Sequence, residues 1–236
     1  MWQEMKMARR GVIGLLGGLA ALAVGGCGIL GSTYSYRYRI TVVVETPEGL
    51  KTGSAVHETI VSKSNIDLGD ISAKRGMRTR GEAVAVDLPG GATLFALLPD
   101  PNLTQAVLDP EWKNDWVESA KRIGGGDTPE GPLAMTPGNQ TDRFAKPTGY
   151  PTLVRFRNID DPTTVEVVDP ANLAVSFGPG ARLTRITLEV TDDAVTSGIE
   201  KRLPSFGPET GFDAWSRTVP FGDPRGISLN DFRSGV

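Results

Sequence analysis

Between Tyr34 and Glu45 the chain alternates without a break. Tyr34, Tyr36, Tyr38, Ile40, Val42 and Val44 take one parity, and Ser35, Arg37, Arg39, Thr41, Val43 and Glu45 the other. Side chains of a strand point alternately to its two faces, so this spacing predicts a half-buried β-strand. Thr46-Pro47-Glu48-Gly49 follows, with proline pre-set for its φ and glycine free to take a positive one. The pattern predicts a hairpin whose second strand runs from about Ser54 to Ser62. Composition agrees: 29 glycines, 17 prolines and only 7% aromatic residues favour a turn-rich, strand-rich domain over a helical bundle. The expected fold is α+β and β-rich, a mainly antiparallel sheet or sandwich with two or three short helices.

The rest of the chain fills in this outline. Residues 64–80 are polar and read as irregular. Glu82 to Leu88 and Ala92 to Leu98 flank Pro89-Gly90-Gly91 and read as a second hairpin. Its second strand is apolar on both faces and belongs in the middle of a sheet. Asp109-Pro110-Glu111 reads as a helix start, with Trp112, Trp116 and Ala120 as one stripe of a helix ending at Gly124. From Gly124 to Tyr150 periodicity lapses among Pro129, Pro132, Pro137 and Pro147, which marks a long excursion or a linker. Residues 34–236 are therefore read as one β-rich domain, or as two lobes, 34–123 and 151–203, joined by the Gly/Pro-rich excursion 124–150. The tail 204–236 is irregular, although Phe206, Phe212, Trp215 and Phe221 are fit to pack onto the domain. Asp169-Pro170 opens a short helix over 171–177 that Gly178 stops. Leu183 to Thr191 is a further strand, and a helical turn is expected over 197–203.

The search for reactive chemistry returns no catalytic, cofactor-binding or metal-binding set. His57 is the only histidine and no G-x-S-x-G elbow accompanies it, so it reads as a surface or interstrand residue. No phosphate-binding glycine loop occurs. Asn65-x-Asp67-x-Gly69-Asp70 imitates the start of a calcium loop but lacks the distal bidentate carboxylate. The pairs Asp160-Asp161 and Asp192-Asp193 sit at strand ends and read as solvated turns. Two features point to a binding surface: the row Tyr34, Tyr36 and Tyr38, whose residue type favours a bilayer headgroup zone, and the pair Trp112 and Trp116. For the tyrosines an ordinary core row is the competing reading, and for the tryptophans a core stripe is.

Cys27 is the only cysteine. It ends an apolar run, Val12 to Gly26, that follows Lys6, Arg9 and Arg10, the three-part layout of a secretory signal. The run is too short and too rich in glycine to span a bilayer. Residues 1–26 carry a net +2, so the remaining 210 carry −5 against −3 for the whole chain. Mild acidity with both signs interspersed argues against a nucleic-acid partner.

Leu22-Ala23-Val24-Gly25-Gly26-Cys27 resembles the lipobox of bacterial lipoprotein precursors. That resemblance implies diacylglycerol on the Cys27 sulfur, cleavage before it, and a tether of residues 27–33. Gly28 stands where an aspartate would mark inner-membrane retention, so the resemblance implies the periplasmic face of the outer membrane. Two or three acyl chains, palmitate among them, hold a protein there for practical purposes permanently. The blocks Tyr36-Arg37-Tyr38-Arg39 to Ser54 and Leu183 to Arg202 resemble an uncharacterised group of proteobacterial lipoproteins, which implies no activity and no residue roles. The expectation is a lipid-anchored, non-catalytic envelope module that binds another envelope protein or a cell-wall component. The alternatives are a carboxylate-based, metal-independent periplasmic hydrolase and a surface protein derived from a phage or mobile element.

Overall fold

The computed structural model describes residues 31–64, 75–138, 149–203, 211–220, 223 and 225–236. Cys27 and its lipobox, the Asn65–Asp70 segment, Phe206 and Phe221 lie outside these residues. Among the described residues no helix is long and apolar enough to cross a membrane.

The fold is β-rich α+β, built from two antiparallel sheets. Strands β1 (Gly31–Thr46) and β2 (Gly49–Ser64) form the long hairpin that the alternation predicts, and β2 starts five residues before its expected beginning. The turn joining them works as its residues require. Thr46 Oγ1 accepts from the Glu48 N–H and donates to the Gly49 carbonyl, and Gly49 takes φ +103°, where L-residues are strained.

Strand β3 (Arg75–Glu82) pairs with β2 inside the stretch expected to be irregular. It gives no hydrophobic alternation because its inward positions are Met77, Thr79 and Gly81, while Arg78 and Arg80 face outward. An inner face that meets polar neighbours leaves no apolar period to read. The chain then bends at Ala83 into β4 (Val84–Asp87), changing sheets as strands do at the corners of packed sheets. β4 pairs with β5 (Thr93–Ala96) across Pro89–Gly91, as predicted.

Helix α1 (Pro101–Leu108) is capped by Asp100, which accepts from the Asn102 N–H at 2.8 Å. The same Asp-Pro signal was expected to open a helix at Asp109, and there it does not. Helix α2 spans Trp116–Gly124 and is capped by Asp115. Asp109 is instead fully buried at the end of α1, where its carboxylate holds Arg122 of α2 at 2.5 Å. Trp112 lies in the connector, so Trp112, Trp116 and Ala120 do not form one helical stripe.

Within the excursion, β6 (Leu133–Ala134) adds to β9 (Arg182–Val190), which lies beside β1. β7 (Leu153–Phe156) pairs with β5, and β8 (Val165–Val167) with β7. Strands from before and after the excursion therefore pair with each other in both sheets. Helix α3 (Leu173–Phe177) ends at Gly178, φ +90°. Helices α4 (Gly211–Ser216) and α5 (Leu229–Phe232) precede β10 (Arg233–Ser234), which pairs with β3. The six-stranded sheet runs β10-β3-β2-β1-β9-β6 and the four-stranded sheet β4-β5-β7-β8.

One core lies between the inner face of the large sheet, α1, α2 and one face of the small sheet, and includes Ile40, Val42, Leu94 and Leu108. A second core covers the other face of the small sheet. Phe95 and Phe156 meet Phe212, Phe232 and Ile227 there, and Phe95 and Phe232 are edge-to-face at 6.0 Å. β5 thus buries Leu94 and Ala96 on one side and Phe95 on the other, with Leu97 just past its end on the Phe95 side, the reason this stretch is apolar on both faces. Each fully buried ring contributes about 1.5–3 kcal/mol, so the phenylalanines hold the tail, which is not irregular throughout as expected but carries α4, α5 and the paired strand β10.

Candidate functional site

The outer face of the large sheet carries a charged row set by strand register. Arg80 on β3, Glu58 on β2 and Arg37 on β1 are direct neighbours, since Glu58 pairs with both. Glu58 lies 3.0 Å from Arg80 Nη1 and 4.0 Å from Arg37 Nε. Arg37 Nη1 also donates to the backbone oxygens of Asp192 and Asp193, at 2.9 and 3.1 Å, and Arg39 pairs with the Asp193 carboxylate. These exposed pairs contribute little stability, of order 0–1 kcal/mol each. Their effect is to hold the Arg37 and Arg80 guanidinium groups on either side of the Glu58 carboxylate.

Beside this row opens a cleft of about 360 Å³. Ser35, Arg37 and Glu58 form one wall, the end of α2 at Gly124 the second, and Thr191 and Asp192 the third. Gly124 packs so closely that a Cβ there would come 2.9 Å from the Ser35 carbonyl. The cleft sits near the Gly31 end of β1, away from the Thr46–Gly49 turn. Its groups suit recognition of carboxylate, phosphate or hydroxyl groups, because the Arg37 guanidinium lies beside backbone and side-chain acceptors. Among the described residues no group of three or more His, Cys, Asp or Glu side chains is placed to hold a metal ion.

The residues singled out by sequence fall elsewhere. Tyr36 and Tyr38 are buried and Tyr34 half-buried, so the tyrosine row is a core row, and neither Tyr36 nor Tyr38 can lie in a headgroup zone. Trp116 opens α2 against the main core, and its carbonyl accepts from Gln105 Nε2 at 2.9 Å. Asp161 caps the turn Pro162–Thr164, and the side chain of Asp193 faces solvent beside Arg39, in keeping with solvated turns. Arg37 was legible only as the outward neighbour of two tyrosines. Its partners Glu58, on β2, and Asp192, just past the end of β9, come from other parts of the chain, so no local spacing announces the cleft.

His57 is not a surface residue. It is interstrand and fully buried, with its ring 5.5 Å from that of Tyr38. Nε2 lies 2.7 Å from the Glu82 carbonyl. Burial pushes the imidazole pKa down to about 4, against a weaker opposing effect of that hydrogen bond. The folded state therefore holds a neutral ring, while the unfolded chain takes up a proton near pH 6.5. Stability from this residue is complete above about pH 6.5 and is lost as pH falls toward 4, about 3 kcal/mol in all. Denaturant titrations between pH 7 and 4 should show this slope in the native chain and a shallower one in His57→Gln; equal slopes would refute the assignment.

The buried Glu82 carboxylate forms a second interior clamp. Its two oxygens accept from the Gly198 and Ile199 N–H groups, each at 2.8 Å, and so cap the turn Ile199–Lys201. The buried pair Asp109 and Arg122 ties α1 to α2. Burial pushes the Asp109 carboxyl up, but the hydrogen bonds from Arg122 and from the Glu111 N–H outweigh it and hold the pKa below its usual value.

No family model, no curated protein and no solved structure matches this chain.

Proposed function

We propose that the mature chain is a lipid-anchored, non-catalytic envelope module that binds another envelope component, a protein or a cell-wall polymer, through the Arg37–Glu58–Asp192 cleft. The observation that supports this reading is the position of the cleft. It opens near the end of β1 where the chain enters from Cys27, only four residues before Gly31. Four residues reach about 14 Å at most, so a lipid on Cys27 keeps this end of the sheet near the bilayer. A partner engaged there must itself lie at the membrane surface.

Lipidation is tested by labelling cells with an alkyne palmitate. The native chain should take up label and Cys27→Ser should not; label on both, or on neither, overturns the anchor. The binding surface is tested separately, by a photo-crosslinking side chain at Asp192 or, as a control, at Glu48 in the distal turn. In native membranes a discrete adduct is expected from position 192 and none from position 48. Absence of an adduct at 192, or the same adduct from both, overturns the cleft as the binding surface.

A further inference from the structure

Six buried polar atoms on the inner face of the large sheet and on α1 have no partner in hydrogen-bond geometry: the hydroxyls of Tyr36, Tyr38, Thr59 and Thr79, Oε1 of Gln105 and Nδ1 of His57. They are gathered by register. Thr59 stands opposite Tyr36 on one side and opposite Thr79 on the other, and His57 stands opposite Tyr38. Thr59 and Thr104 face both tyrosine hydroxyls, and Gln105 faces that of Tyr36 while Thr79 faces that of Tyr38. The hydroxyls therefore point into one space from the sheet below and the helix above.

The proton inventory of this space is defined. The Glu82 carbonyl can only accept, so His57 Nε2 carries the proton and Nδ1 is a bare acceptor. Gln105 gives one amide N–H to the Trp116 carbonyl, and its Oε1 is a second bare acceptor. Four hydroxyls able both to donate and to accept surround these two. No formal charge lies among them: Asp109 is engaged with Arg122, and the Glu82 carboxylate with Gly198 and Ile199. Native proteins leave few buried polar groups unpaired, and six dry ones in one place would rival the whole stability of a domain. The complement such a space demands is small, uncharged and both donor and acceptor. Close packing limits its size. The Tyr36 and Tyr38 rings are 5.9 Å apart, and a Cβ at Gly81 would already come 2.6 Å from the His57 ring.

We propose that this cluster is an internal hydration site, in which ordered water bridges Tyr36, Tyr38, Thr59, Thr79, Gln105 and His57 and fastens α1 to the sheet. Buried waters of this kind make two to four hydrogen bonds to otherwise unpaired groups and are part of the fold. The site also accounts for the polar inner face of β3, where Thr79 occupies a position a β-branched apolar residue would otherwise fill.

Oxygen-17 relaxation dispersion on the full chain in detergent counts waters with long residence times. The native chain is expected to hold at least two, and Thr59→Val and Tyr36→Phe are each expected to lose at least one. The same variants should lower the denaturant midpoint, because each removes a bridge anchor. A midpoint that rises in both variants would mean a dry cluster relieved of unpaired groups, and would overturn the proposal. So would a stoichiometric small molecule released on denaturation and detected by mass spectrometry. If a variant fails to fold, Thr79→Val takes its place, and a long-lived water count equal to that of the native chain overturns the site.

Discussion

Glu82→Ala is expected to lower stability by about 4 kcal/mol, among the largest effects of any single side chain here. The substitution removes the acceptor for two backbone N–H groups, Gly198 and Ile199, and Ile199 is itself buried in the second core. A hydrogen bond to a charged group is worth about 1.5–3 kcal/mol, and a buried donor left unpaired bears its full desolvation cost. The loss falls in one place. The turn Ile199–Lys201 holds Ile199 and Leu203 against Phe95 and Phe232, so releasing it loosens the C-terminal cover of the small sheet. Glu82→Gln keeps one acceptor oxygen but turns an N–H₂ toward the other donor, and should recover part of the loss. Urea denaturation of the three proteins checks the order native, Gln, Ala. A change under 1 kcal/mol in the alanine variant would show that the clamp carries no weight. The His57 hydrogen bond uses the backbone oxygen of Glu82 and should survive both changes, leaving the pH slope below 6.5 intact.

Gly53→Ala should cost about 3 kcal/mol, a fall of roughly 10 °C in Tm for a chain this size. Gly53 sits where β2 passes the strand β4 of the other sheet. A Cβ there would come 2.1 Å from the Ala85 carbonyl oxygen and 2.8 Å from its carbon. Both atoms are backbone inside a paired strand, so no rotamer change relieves the clash and the two sheets must separate. Gly76 is the matched control, also a strand glycine of the large sheet. Its added Cβ would meet only the Ser62 hydroxyl at 3.1 Å, at the end of a side chain that can turn away. Gly76→Ala should therefore stay within about 1 kcal/mol of the native chain. Similar melting temperatures for the two variants would refute the close crossing of the sheets.

These positions show which parts of the fold were legible in sequence. β1, β4, β5 and β9 could be read because each meets an apolar layer on at least one face, and an apolar layer imposes a period. β3 could not, since its inner positions meet Tyr38, His57 and Thr59 and its outer ones water. The Asp-Pro signal was read correctly as a cap, yet assigned to the wrong member. Asp100 caps α1 from the surface, while Asp109, with the same local chemistry, is drawn inside by Arg122, thirteen residues on. The tail illustrates a different limit. Phe212 and Trp215 were read as packing residues, but which surface they cover depends on a small sheet assembled from four separate stretches of chain.

From the sequence alone follow the β-rich class, the long first hairpin with its turn, the second hairpin, and a lone cysteine set as a lipoprotein signal would set it. All of these rest on neighbours within a few residues, where spacing and backbone preference act directly. The tertiary structure decided the rest. It turned the tyrosine row and His57 inward, buried Glu82 and Asp109 each against partners of its own, and brought Arg37, Glu58 and Asp192 together in one cleft. Those outcomes depend on how separate strands and helices pack against one another, and such packing leaves no local mark in the sequence.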